Sequence, residues 1–205
     1  MRELAAVAAV VALVTLAPAV QQSVAARATP DRQLERVFAP RGRVVMHLSA
    51  GDYDIEGSPE PRIHMQWDTR NPDDADEVEA SATVSGNEAV IKTSGPSNGF
   101  HVTIQVPARS DLLIRLSAGD LEVNRVQGHK DISAWAGNLK IGIADAADYR
   151  NVNASVTAGD LRAEPFNVSK GGLFRSFTWE GKGGYDLRAR LTAGDLVLHA
   201  ESAAQ

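Results

Sequence analysis

Apolar and polar residues alternate along much of this chain, and five times the alternation slips by one residue at the same short phrase. Aligned on its glycine, the phrase reads LSAGDYDI (Gly51), LSAGDLEV (Gly119), AWAGNLKI (Gly137), VTAGDLRA (Gly159) and LTAGDLVL (Gly194). Alanine precedes every glycine, and an acid or amide follows it: Asp52, Asp120, Asn138, Asp160 and Asp195. Two and four residues past the glycine stand Tyr53/Ile55, Leu121/Val123, Leu139/Ile141, Leu161/Ala163 and Leu196/Leu198; five and three residues before it stand Met46/Leu48, Ile114/Leu116, Ile132/Ala134, Ala154/Val156 and Ala189/Leu191. A period of two on each arm predicts a strand on each side. From the alanine to the next large apolar residue the step is three, so the apolar face stays inward only if the chain turns a corner. Glycine supplies the backbone freedom there, and Asp or Asn can hydrogen-bond the neighbouring backbone.

The glycines are 68, 18, 22 and 35 residues apart, about one coil in the middle copies, and no stretch shows convincing helical periodicity. Strand-corner-strand units that cannot bury a core singly do so by stacking. The pattern therefore predicts an all-β, single-domain right-handed β-solenoid with an antiparallel hairpin section in its N-terminal half. That section is read from Ala80–Thr93, two strands around Gly86-Asn87, and from Phe100–Val106, which alternates cleanly before Pro107. The last copy runs almost to the end of the sequence, which predicts an open strand edge there, with self-association or strand addition by a partner through it.

Three stretches, RVFAPRGRVVMHLSAGDYDIEGS, FHVTIQVPARSDLLIRLSAGDLEV and GKGGYDLRARLTAGDLVL, resemble the bacterial putative-adhesin, or toast-rack, β-repeat family over roughly residues 34–200. The resemblance implies a partly parallel right-handed solenoid, an exported protein, and no known catalytic residues or cofactor.

Ahead of the repeats, Leu4–Val20 is an apolar run containing Pro18 and followed by Ser23-Val24-Ala25-Ala26, which reads as a signal peptide over residues 1–25; an uncleaved anchor is the alternative reading. Residues 26–42 would be a lead-in, 43–200 the repeat domain and 201–205 a tail, with no transmembrane span after cleavage. The chain of 205 residues has no cysteine, so neither disulfides nor a lipidated cysteine is expected. A net charge of -5 with no basic cluster argues against nucleic acid as a partner.

Candidate chemistry is sparse. Gly95-Pro96-Ser97-Asn98-Gly99 fits the G-x-S-x-G nucleophile elbow, but that chemistry needs a strand running into a helix, and here strands flank the motif on both sides. The five histidines, His47, His64, His101, His129 and His199, are scattered, so no metal site is expected. The acidic run Asp73–Glu79 reads as a solvated loop, and the sequons at Asn153 and Asn167 as chance. If the middle copies stack in order, Asp120, Asn138 and Asp160 form a column with its carboxylates ~9–10 Å apart. That is near the separation in inverting glycosidases, so a polysaccharide-acting enzyme is the alternative function. Trp135 interrupts an otherwise polar outward column of Ser49, Ser117, Thr157 and Thr192. Either the segment around Phe177 and Trp179 covers it, or Trp135 and Trp179 form an aromatic platform for a partner. The sequence thus points to a non-catalytic, exported module presenting a binding or scaffolding surface to an envelope protein or polysaccharide.

Overall fold

The alternating arms are strands, and strands make up most of the described residues. A computed structural model describes residues 32–96 and 98–201; the expected signal peptide, Ser97 and residues 202–205 lie outside these. In chain order the strands are β1 (Gln33–Val37), β2 (Arg43–Leu48), β3 (Asp52–Ser58), β4 (Arg62–Thr69), β5 (Glu79–Ser85), β6 (Glu88–Ser94), β7 (Phe100–Pro107), β8 (Asp111–Ala118), β9 (Leu121–Asn124), β10 (Lys130–Ala136), β11 (Leu139–Ile143), β12 (Tyr149–Ala158), β13 (Leu161–Ala163), β14 (Val168–Lys170), β15 (Leu173–Glu180), β16 (Tyr185–Ala193) and β17 (Leu196–Ala200). They form two open, mixed sheets, ordered β1-β4-β7-β3-β9-β11-β17-β13-β14 and β15-β12-β16-β10-β8-β2-β6-β5. Each repeat puts one arm in each sheet, and neighbouring repeats pair in parallel. Antiparallel strands finish both ends: β5 beside β6 and β4 beside β7 at one, β15 beside β12 and β14 beside β13 at the other. The expected hairpin section is the first of these, and β1, within the expected lead-in, pairs with β4.

The order of the repeats departs from the order in which they are written. The last unit, β16–β17, lies between the third and the fourth, so β16 pairs with both β10 and β12, and β17 with both β11 and β13. The open edge expected at the final copy is therefore absent: both of its strands are interior, and the sheet edges are β1, β14, β5 and β15. The physical cause lies in the 35-residue interval before the last copy. It contributes β14 and β15, which occupy the outer sides of β13 and β12, leaving only the inner sides free for the returning chain. The extra residues between the third and fourth copies, which include the 3-10 turn Ala146–Asp148, span the added strand width.

The corner glycines stack backbone on backbone. Gly119 N–H donates to the Ala136 carbonyl (2.9 Å), Gly137 N–H to Ala193 (3.0 Å) and Gly194 N–H to Ala158 (2.9 Å). A Cβ on Gly137, where φ is 121°, would fall 1.9 Å from the Gly119 carbonyl oxygen, and one on Gly194 1.9 Å from that of Gly137. No side chain fits, whatever its chemistry. At three of the corners the acid caps the next layer: Asp52 Oδ1 accepts from Asp120 N–H (3.4 Å), Asp120 Oδ1 from Asn138 N–H (3.0 Å) and Asn138 Nδ2 (2.9 Å), and Asp195 Oδ1 from Asp160 N–H (3.2 Å).

Every apolar position identified before and after the glycines is buried, and the two inner faces share one core. Among the described residues one inward row carries a buried charge. Val44, Leu112, Leu187 and Val152 align with Lys130, which is 2% exposed and donates to the Tyr149 hydroxyl at 2.7 Å. Burial lowers the Lys130 ammonium to about 8, against the opposing pull of Glu201, Asp148 and Asp111, and pushes the Tyr149 hydroxyl above its ordinary range.

Gly137→Ala should destabilise the fold by ~3 kcal/mol or more, a loss of roughly 6–12 °C in Tm, through backbone collision. Gly86→Ala, where nothing lies within 4 Å of the added carbon, should cost about 1 kcal/mol or less in the same thermal melt. Between pH 8 and 10 the unfolded chain holds the Lys130 proton more tightly than the folded one, so stability must rise with pH across that window. Denaturant titrations should show a gain of about 1–2 kcal/mol that disappears in the Lys130→Met/Tyr149→Phe double variant.

Candidate binding face

The outward rows of the parallel strands place a compact group of charges beside Trp135. Across β2, β8, β10, β16 and β12 one row reads His47, Arg115, Ser133, Arg190, Ser155. The row below it reads Val45, Leu113, Asp131, Arg188, Asn153. Asp131 is thus surrounded, and three guanidinium groups share its carboxylate: Arg115 at 3.0 Å, Arg190 at 3.4 Å and Arg188 at 3.9 Å. Arg115 is further fixed by the carbonyls of Ile114 (2.9 Å) and Asp131 (3.1 Å). One negative charge among three positive ones leaves a local surplus of cations held on rigid strands, with Lys92 beside His47 extending it.

Trp135 stands two residues beyond Ser133 on the same outward face and is 70% exposed. Its neighbours in the stack are the hydroxyl residues already legible as a column, with Thr192 the next corner residue on one side and Ser117 on the other. The 169–186 segment does not cover it, contrary to one of the two sequence readings. That segment is β15 and its flanks, which extend the sheet sideways at β12 instead of folding over it.

The platform reading also changes. Trp179 pairs with Val152, an inward residue, and its ring packs on Phe166 with centroids 5.0 Å apart; Phe177, on the same strand face, pairs with inward Ala154. Trp135 and Trp179 therefore lie on opposite faces of the sheet and do not form one surface. Below the arginine group an open groove of about 650 Å³ runs over Asp111, His129, Asp131, Asn153, Asp186 and Arg188. In it Asp186, whose carboxyl is held below its ordinary range by Asn151 and Arg150, is engaged by Arg150, Asn151 and His129.

Of the other sequence candidates, the structure brings Asp52, Asp120, Asn138 and His101 together along one pocket with Asp54 and Glu122. The corner residues run in the spatial order Asp52, Asp120, Asn138, Asp195, Asp160, because the last unit is inserted. Asp120 and Asp160 are then three strand spacings apart, ~14 Å, outside the inverting range. Asp195 and Asp160 are neighbours, but Asp195 caps a backbone N–H and Asp160 is salt-bridged to Arg162 at 3.1 Å; neither is enclosed in the apolar pocket a general acid requires. Gly95–Gly99 joins β6 to β7, a strand to a strand, while Ser97 itself lies outside the described residues. His101 faces Asp52 (3.3 Å), His64 faces Glu35 (3.7 Å) and His199 meets Asn124 (3.1 Å); among the described residues no cluster has the makings of a metal site. Asp73–Glu79 begins as an exposed 3-10 turn, Pro72–Glu77, capped by Asn71. Sequence reasoning missed the arginine group, since Arg115, Asp131, Arg188 and Arg190 meet only through strand pairing across an unforeseen order of units. It also passed over Lys130, whose position seven residues before Gly137 was the available signal.

No protein-family model matches the chain, and no curated protein matches it. Among solved structures it is similar to a putative cell adhesion protein from Clostridium sporogenes, with 12% identity and a TM-score of 0.49 over 82% of this chain and 99% of that one. It is also similar to a putative adhesin from Parabacteroides distasonis (9% identity, TM-score 0.22, 82% of this chain and 96% of that one). A third similarity is to a putative adhesin from Parabacteroides merdae (11%, 0.26, 84% and 90%). These scores are too low to carry a function across, and the fold and face described above rest on this chain's own pairing and contacts. All three neighbours bear an adhesin or adhesion description, as does the β-repeat family that the sequence resembles.

Proposed function

We propose that the chain is an exported, non-catalytic binding module of the bacterial cell envelope, built as a right-handed β-solenoid, which holds an acidic polysaccharide on the outer face of its eight-stranded sheet. The observation that carries this reading is the sharing of Asp131 by Arg115, Arg188 and Arg190 beside an exposed Trp135. An indole face suits the apolar side of a sugar ring, and spare guanidinium donors suit carboxylates along a polymer. The strands fix both groups in advance, so little conformational freedom is lost on binding. Asp131 orders the arginines without neutralising them. The apolar leader at Leu4–Val20 supports export.

Titration calorimetry with the chain lacking residues 1–31, which keeps every strand and core residue found among the described residues, tests this directly. Binding to polygalacturonate should exceed binding to neutral dextran and weaken with added salt. Trp135→Ala should lower the affinity at least ~10-fold, or about 1.4 kcal/mol, with Tm unchanged, because the side chain is mostly in solvent. Equal binding of acidic and neutral polymers, or full affinity in Trp135→Ala, would overturn the assignment.

A further inference from the structure

At the end of the stack farthest from β5, the chain exposes apolar side chains where nothing in the fold calls for them. Gly171 and Gly172 turn the chain from β14 into β15, and the next two residues are Leu173, 63% exposed, and Phe174, 79% exposed. Phe174 has a φ of 55°, the left-handed region that bulky side chains rarely enter. β15 is an edge strand of its sheet, so two consecutive side chains, one on each face, both meet solvent at its start. A strained backbone that presents an aromatic ring to water has no stabilising role in the fold, and such outliers cluster at functional sites.

The surroundings are cationic. Lys170 Nζ is bonded to the Ser176 carbonyl (2.7 Å), and Arg175 Nε to the Gly171 carbonyl (2.5 Å). Among the described residues neither forms a salt bridge, and the Asp160 carboxylate, which lies against Gly171, is paired with Arg162. The tip is therefore two large apolar groups flanked by two uncompensated cations.

We propose that this tip, Lys170 to Arg175, docks the protein on an anionic lipid surface, with Leu173 and Phe174 entering the headgroup boundary and Lys170 and Arg175 meeting lipid phosphates. Apolar groups that are costly in water, combined with cations that favour negative headgroups, are the elements of interfacial membrane attachment. Other occupants fit less well. A partner strand added to β15 needs extended backbone at its start, which the left-handed Phe174 interrupts. A sugar polymer would find one aromatic face but gain nothing from Leu173. The tip shares no residue with the Trp135 face, so the two assignments stand or fall separately.

The test is co-sedimentation of the chain lacking residues 1–31 with vesicles of phosphatidylcholine alone and of phosphatidylcholine with 30% phosphatidylglycerol. The proposal expects binding to the anionic vesicles, at least tenfold weaker binding to the neutral ones, and at least a tenfold loss in Leu173→Asp/Phe174→Asp with the thermal melt preserved. Phe174→Gly supplies a second readout: relief of the left-handed strain should raise Tm while vesicle binding falls. Equal partitioning of the double Asp variant and the parent would overturn the proposal. So would failure to bind either vesicle, including the case where the parent instead self-associates with rising concentration and the double variant does not.

Discussion

Contact between backbones at the corner glycines governs this molecule. The carbonyl of one corner occupies the space where a Cβ of the next would sit, 1.9–2.0 Å away at Gly119, Gly137, Gly159 and Gly194. Strands pair at their ordinary spacing right up to the bend only because those positions carry no side chain. The remaining features follow from that closeness. At three of the corners the adjacent acid caps the layer beside it, the preceding alanine leaves room inside the bend, and the residues two and four positions onward fall into continuous inner rows.

The inner rows were legible in the sequence because burial is periodic: Met46 and Ile114, or Leu121 and Leu196, announce their side of the sheet by spacing alone. The corners were legible for the same reason, since a step of three between apolar positions has few explanations in an extended chain. The order of the units was not. Five nearly equivalent repeats can be stacked in several orders with the same rows filled, and the choice falls to β14 and β15, which occupy the far side of the fourth unit. Those strands are short or irregular in pattern, with Leu173 and Phe174 breaking alternation. The neighbour relations among Arg115, Asp131, Arg188 and Arg190 depend on that order, and so did the expected spacing of the corner carboxylates.

The rigid corners also explain how the proposed face can be sparse and still specific. Arginines on opposite sides of Ser133 converge on Asp131 because their strands are locked in register, and Trp135 is exposed because the corner beyond it leaves nothing to fold back. Lys130 shows the cost that such a frame tolerates: a buried ammonium, partnered by one hydroxyl, within an otherwise apolar row. Among the described residues no helix is long and apolar enough to cross a membrane, and the surfaces proposed for recognition lie on strands and at a turn between strands.

Backbone amide contacts at the corners test the account most directly. Nuclear Overhauser spectra of the isotope-labelled chain report which residues lie within ~5 Å of the Gly137 and Leu139 amide protons, which bond to Ala193 and Asp195 here. Cross-peaks from those amides to Ala193 and Asp195, and from the Gly194 amide to Ala158, are the expected result. Cross-peaks from Gly137 and Leu139 to Ala158 and Asp160 would place the units in chain order and contradict the corner stack described above.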